Sequence, residues 1–228
     1  GQACVALPQE DGGMFVHTSS QHPSEVQKLV AEVLGVPIHA VTTEVRRMGG
    51  GFGGKETQAA PLACISALLA RRTGRPVKYR MARYDDMVQT GKRHDFFNTY
   101  DIGFDNEGVL RGADIMVAGR CGFSPDLSDA IVDRAMFHSD NAYSLGQARV
   151  VGHRCKTHTV SNTAFRGFGG PQGMMIIERA MDDIARHLGM DPLDVRKRNL
   201  YGPGRDVTHY GQIVEQHVLP DLIDTLEA

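Results

Sequence analysis

A chain of 228 residues with 25 Lys plus Arg, 27 Asp plus Glu and ten His carries a formal net charge of -2. That balance, without a basic run, excludes the clustered footprint of a nucleic-acid binder, and the longest apolar stretch, residues 61–70, is half of the roughly 20 residues a membrane-spanning helix needs. About half of the residues are apolar or glycine, which reads as a soluble chain forming one large or two modest domains.

The first extended segment is 14–19. Pro23 then opens a helix in which Val26, Leu29, Val30, Val33 and Leu34 recur at i, i+3, i+4, i+7 and i+8, one apolar face. Gly35 ends it and Pro37 forbids continuation. Residues 41–46 read as a β-branched strand, and the glycine run 49–54 leads into a second helix over 55–72. Ala and Leu occupy most sides of that helix, which predicts burial all round. Strands follow at 77–81, 96–104 and 109–119, the last two joined by the turn signal Asp105, Asn106, Glu107, Gly108. A short helix over 127–134 and a strand over 148–155 precede a second glycine run, 167–170. A long helix then runs to Leu188, with Ile177, Met181, Ile184 and Leu188 on one face. Asp191 is the N-cap of a helix to 199 with Pro192 at its first position, and 218–227 forms the last helix. Helices and strands mix without strict alternation around a consecutive antiparallel stretch, so the expected class is α+β, mixed sheets with packed helices, divided into parts 1–123 and 124–228.

Cys4, Cys64, Cys121 and Cys155 are too widely spaced for a metal knuckle or redox dithiol and read as buried free thiols. Without disulfide patterning or a leader-like apolar segment, the expected compartment is reducing and cytoplasmic. The histidines show no ligand spacing, so no metal is expected to be held directly through side chains. Met174, Met175 and Met181, at helical spacing, read as core.

Nine of the 26 glycines fall in two clusters, whose cores Gly51-Phe52-Gly53-Gly54 and Gly167-Phe168-Gly169-Gly170 resemble each other. Each is expected at a helix start, where unpaired amides and the helix dipole favour an anion or oxo group. Gly49, Gly51 and Gly54 satisfy GxGxxG, but no strand-end acid follows about 20 residues on to take a ribose. The run 49–55 also approaches a phosphate-binding loop ending in Lys55, which would make the chain a nucleotide-binding module. There, however, Glu56 stands where a Ser or Thr must ligate magnesium, and a carboxylate would repel the phosphate. In the first turn of a helix, Glu56 is stabilised by the dipole or placed beside whatever the loop holds.

With MGGGFGGKET at 48–57 and SNTAFRGFGGPQG at 161–173, the sequence resembles the molybdenum hydroxylases, in particular the molybdenum-binding subunit of the xanthine dehydrogenase type. SSQHPSEVQ at 19–27, DRAMFH at 133–138 and DPLDVRKRNL at 191–200 extend the likeness along the chain. The resemblance implies a molybdenum-pterin cofactor whose dithiolene supplies the metal's sulfur ligands, and hydroxylation of hypoxanthine or xanthine with oxygen derived from water. It gives Gln21, Phe52, Gly53 and Arg166 to the cofactor. Glu56 and Arg134 it gives to catalysis by orienting the purine, and Phe168 to packing against the heterocycle. A fixed guanidinium stabilises the negative charge that a heteroaromatic ring gains on nucleophilic attack. Related aldehyde oxidases typically lack the glutamate and arginine, so an aldehyde oxidase-like enzyme is the alternative. The resemblance also implies iron-sulfur and FAD modules as partners, NAD as acceptor and an oligomeric full enzyme. It further implies that the chain is a fragment truncated at both ends, without the family's general-base glutamate and inactive by itself.

Overall fold

The computed structural model describes all 228 residues, which group into two compact units. One comprises Gly1–His94, Cys121–Ser128 and Lys156–Arg166; the other comprises Asp95–Arg120, Asp129–Cys155 and Gly167–Ala228. The chain therefore passes between them repeatedly, a different partition from the single boundary near 123/124 suggested by the sequence. Long-range strand pairing makes the units, and local composition does not register it.

In the first unit, β1 (Ala3–Pro8), β2 (Met14–Thr18), β3 (Val41–Glu44) and β4 (Val77–Arg80) form one sheet in the order β3-β2-β1-β4. Its pairs are antiparallel except β2 with β3. Two helices, α1 (Pro23–Leu34) and α2 (Ala60–Thr73), lie side by side on this sheet. Fully buried Ala6, Val16, Val26, Val30, Val41, Ala63 and Ala67 join sheet to helices. Gly35 caps α1 in the left-handed conformation, as its position after the last apolar residue predicts. Strand β1 and helix α3 (Arg83–Gln89) carry no periodicity strong enough to stand out in the sequence.

Helix α2 departs from expectation in two ways. It begins at Ala60, so residues 54–59 are turns and bends, and it buries only the small-residue face of Ala60, Ala63, Ser66, Ala67 and Ala70 together with Leu62. Ile65, Leu68 and Leu69 remain 41–48% exposed. Small side chains let α2 approach the sheet closely, which turns the larger residues outward.

In the second unit, β5 (Phe96–Phe104), β6 (Leu110–Gly122) and β7 (Gln147–Lys156) form a sheet in that order. The β5–β6 hairpin turns on Asp105, whose Oδ1 accepts the Glu107 and Val109 amides at 3.0 Å each. Helices α4 (Ser128–Phe137), α5 (Gly170–Leu188), α6 (Pro192–Asn199) and α7 (Leu219–Glu227) complete the elements. One face of α5, Ile176, Ile177, Ala180, Met181 and Ile184, packs into a core with Ile115, Val117, Val132 and Val195. Each such large aliphatic contributes roughly 1.5–3 kcal/mol on burial. Asp191 caps α6 through the Leu193 amide at 2.7 Å.

The class is thus α+β, mixed sheets with packed helices. No helix is long and apolar enough to cross a membrane. All four cysteines are free, but only Cys4 and Cys121 are buried; Cys64 is half-buried and Cys155, on a strand that shows solvent both faces, is exposed. Of the methionines read as core, Met181 is fully buried, whereas Met175 points outward from α5 and is 70% exposed.

Candidate cofactor and substrate residues

The first glycine loop is shaped by backbone that ordinary residues avoid. Phe52 has φ 53° and Gly53 φ 96°. A Cβ on Gly53 would stand 2.6 Å from the carbonyl carbon and oxygen of Ala164, so this position requires glycine for conformation and for close approach. The loop is tied to the segment after β2: the Lys55 carbonyl accepts the Gln21 amide at 2.9 Å and the Ser20 hydroxyl at 3.2 Å. The Lys55 ammonium donates to the Met48 carbonyl within the same loop. A lysine folded back onto its own loop does not reach for phosphates, which removes the main feature of the nucleotide-binding alternative.

Gln21 and Gly53 are brought together. The Gly53 N–H donates to Gln21 Oε1 at 3.0 Å, and because only an oxygen can accept there, the side-chain NH2 is the end left to donate. That NH2 and the Phe52 amide have no acceptor within the chain. The Arg166 guanidinium stands 5.9 Å from the centroid of the Phe52 ring. The four expected cofactor residues therefore meet in two contacts, Gln21 with Gly53 and Arg166 with Phe52.

Glu56 is half-buried, and its amide donates to the Gly53 carbonyl at 3.2 Å. It lies in the bend before α2, four residues ahead of its first turn, so helix-dipole stabilisation of Glu56 does not apply. Its carboxylate enters no hydrogen bond or ion pair in the chain.

The second glycine loop does cap a helix. Gly169, φ 97°, is the N-cap of α5, and Pro171 sits in the first turn. Phe168, half-buried, has φ 51°, nearly the value at Phe52. A Cβ on Gly169 would lie 2.0 Å from the Ile131 carbonyl oxygen, and one on Gly173 would lie 2.1 Å from that of Ala135. These two glycines, four apart, let α5 cross α4 at backbone contact, and that crossing sets where Arg134 stands. Its Nε is 3.9 Å from the Cβ position of Gly170. Arg134 is exposed, and while the other arginines of this unit donate to carboxylates or carbonyls, it has no such partner.

Two neighbours escaped the sequence reading. His138, one turn beyond Arg134, comes within 3.5 Å of the same Gly170 position; burial, and then the Arg134 charge, push its pKa down against the opposing pull of Asp140. An i, i+4 Arg-His pair was the available signal. Arg93 lies 4.3 Å over the Phe165 ring and donates to the Arg166 carbonyl at 2.7 Å, a pairing 73 residues apart that no local pattern announces.

Residues 1–200 match the family described as the molybdopterin cofactor-binding domain. The chain belongs to that family. The chain is 45% identical over 222 residues to a xanthine dehydrogenase of Drosophila subobscura, covering 97% of the chain and 16% of that relative. It is also 45% identical over 216 residues to a xanthine dehydrogenase/oxidase of Gallus gallus, covering 94% of the chain and 16% of that relative. The chain thus spans about one sixth of the length of these curated relatives. Among solved structures, an aldehyde oxidoreductase from Desulfovibrio gigas superposes with a TM-score of 0.87 at 30% identity, over 99% of this chain and 25% of that one.

The residues present fit the cofactor that gives the family its description. The Phe52 amide and the Gln21 NH2 are donors without acceptors, Arg166 is a cation without a carboxylate, and the glycines keep side chains out of the cradle. A donor-only set of this kind suits the oxo and phosphate oxygens of a molybdenum-pterin group.

Proposed function

We propose that this chain forms part of the catalytic subunit of a xanthine dehydrogenase that hydroxylates hypoxanthine and xanthine. The observation that carries this reading is that Glu56 and Arg134 are both charged groups left without a protein partner, each beside one of the two glycine loops. A half-buried carboxylate without an internal partner is a candidate ligand contact, and Arg134, exposed beside the second loop, is free to meet a ligand.

In this reading Gln21, Phe52, Gly53 and Arg166 hold the molybdenum-pterin group, with Gln21 donating through its NH2 and Phe52 through its backbone N–H. When bound, the group supplies two-electron oxidation and delivers an oxygen derived from water. Glu56 accepts or shares a hydrogen bond with a ring nitrogen or exocyclic oxygen and so selects one orientation of the purine. Arg134 stabilises negative charge on the heterocycle, and the Phe168 ring packs against its face. In the full enzyme, iron-sulfur and FAD modules would be the chain's partners and NAD the acceptor, in a cytoplasmic, oligomeric assembly.

The test is made in the full-length enzyme with Glu56→Val combined with Arg134→Met. Losing preorganised charge stabilisation costs roughly 100-fold or more in turnover, so activity on xanthine should fall by about that factor while activity on an aldehyde changes little. Equal losses on both substrates would remove the assigned roles. Wild-type activity confined to aldehydes would favour an aldehyde oxidase-like enzyme instead.

A further inference from the structure

One carboxylate near the first loop is used neither by the cofactor residues nor by the substrate residues. Asp126 lies in the segment Cys121–Ser128 with φ 47°, a left-handed backbone that aspartate adopts more readily than most non-glycine residues. Its oxygens collect donors from two other stretches of chain. The Thr57 hydroxyl is 3.0 Å from both Oδ1 and Oδ2, the Gln58 Nε2 donates to Oδ2 at 2.7 Å, and the Thr163 hydroxyl donates to Oδ1 at 3.2 Å. Thr57 and Thr163 hydroxyls are themselves 3.2 Å apart. Gln58 extends the network by accepting the Gly91 amide on Oε1 at 2.8 Å, and the Lys92 carbonyl accepts the Thr163 amide at 2.9 Å.

The placement of these contacts gives them a consequence. Thr57 follows Glu56 directly, and Thr163 immediately precedes Ala164, whose carbonyl is the surface against which Gly53 packs. Arg166 follows two residues later. The carboxylate therefore clamps both sides of the Gly53–Ala164 contact from a point that touches neither the loop's free donors nor Arg166. Only an ionised carboxylate accepts all three donors at once. An amide keeps one acceptor oxygen and turns an NH2 either toward the Gln58 NH2, which only donates, or toward threonine hydroxyls that must then reverse from donating to accepting.

We propose that Asp126 is a positioning residue for the cofactor. It fixes the first glycine loop against the segment 161–166, so that the Phe52 amide, the Gln21 NH2 and the Arg166 guanidinium form a ready-made donor set before the cofactor arrives. This rests on the assignment of those groups to the cofactor.

The test uses the full-length protein with Asp126→Asn, Thr57→Val and Thr57→Ser, reading molybdenum and pterin per polypeptide and amide hydrogen exchange. Asp126→Asn should retain at most one fifth of the wild-type molybdenum and speed exchange at residues 52–55 and 164–166 at least ten-fold. Exchange in β1 and α5 should stay unchanged. Thr57→Val should move the same readouts the same way, and Thr57→Ser, which keeps the hydroxyl, should restore them. Wild-type molybdenum content and loop exchange in both Asp126→Asn and Thr57→Val would overturn the proposal. So would a loss of protection spread through β1 and α5 in both, or no rescue by serine. The two readings fail separately: the Glu56 and Arg134 variants alter substrate preference without altering molybdenum content. If the unaltered protein carries no molybdenum, the cofactor assignment fails and this proposal with it, whatever the exchange shows.

Discussion

The two glycine loops share a sequence, and nearly share a backbone, yet do different work. Phe52 and Phe168 differ by 2° in φ, Gly53 and Gly169 by 1°, and both glycines press against a carbonyl that a Cβ would strike. The second loop runs straight into α5 because Gly170 is followed by Pro171, whose fixed φ suits a first helical turn. The first continues through Lys55, Glu56 and Thr57, which are held by the Met48 carbonyl, the segment 19–21 and Asp126, and its helix waits until Ala60. One motif thus makes a helix start that packs α5 on α4. The other makes a cradle that keeps donors free. The lesson is that a Gly-Phe-Gly-Gly run specifies a strained turn with close approach, and the residues after it decide its use.

Substitutions sharpen that contrast. The largest effect is expected at Gly169→Ala, which adds a left-handed alanine and a 2.0 Å collision with the Ile131 carbonyl. Strain and overpacking together cost about 3 kcal/mol or more, read as a large fall in thermal midpoint. Gly53→Ala meets Ala164 at 2.6 Å and should cost about 2–3 kcal/mol. Its sharper signature should be lost molybdenum content, because the residues proposed to hold the cofactor are on that side. If Gly53→Ala lowered stability without touching molybdenum content, the distinction between the loops would break.

The last glycine of each loop provides the control. A Cβ at Gly54 meets nothing within 4 Å, and one at Gly170 meets only ordinary contacts at 3.5 Å and beyond. Gly54→Ala and Gly170→Ala should stay within about 0.5 kcal/mol of the parent in a denaturant titration.

The smallest effect separates the loops by pH. His138, beside the second loop, has a pKa held below its ordinary 6.5, chiefly by burial and then by the Arg134 charge. The folded state is neutral there while the unfolded chain has begun to protonate, so the unfolded state binds more protons just below pH 6.5. Stability is complete above that value and declines as pH falls through the folded pKa. His138→Gln should flatten the decline in melting temperature between about pH 7 and 5. Identical pH slopes in the two proteins would remove His138 from this account.

Much of the architecture is readable from local pattern. The apolar spacing of α1 and α5, Gly35 as a stop, Asp191 with Pro192 as a start and Asp105 as a hairpin turn all act within a few residues, and each appears where the spacing puts it. The misreadings fall where a neighbour distant in sequence takes over. Helix α2 starts late because Asp126, 69 residues from Thr57, holds the turn before it. Its Ile65, Leu68 and Leu69 face outward because alanines fit the sheet more closely.

The sequence by itself determined the residue types of the loops and the family they belong to; which of their glycines are irreplaceable was decided by the fold, since Gly53 and Gly169 face carbonyls of distant segments and Gly54 and Gly170 do not. Tertiary structure alone decided which charges stay unspent. A carboxylate such as Glu56 and a guanidinium such as Arg134 look like many others in the chain, and only folding shows that their neighbours found partners while they did not. Partner choice depends on contacts across tens of residues, which periodicity and spacing do not encode.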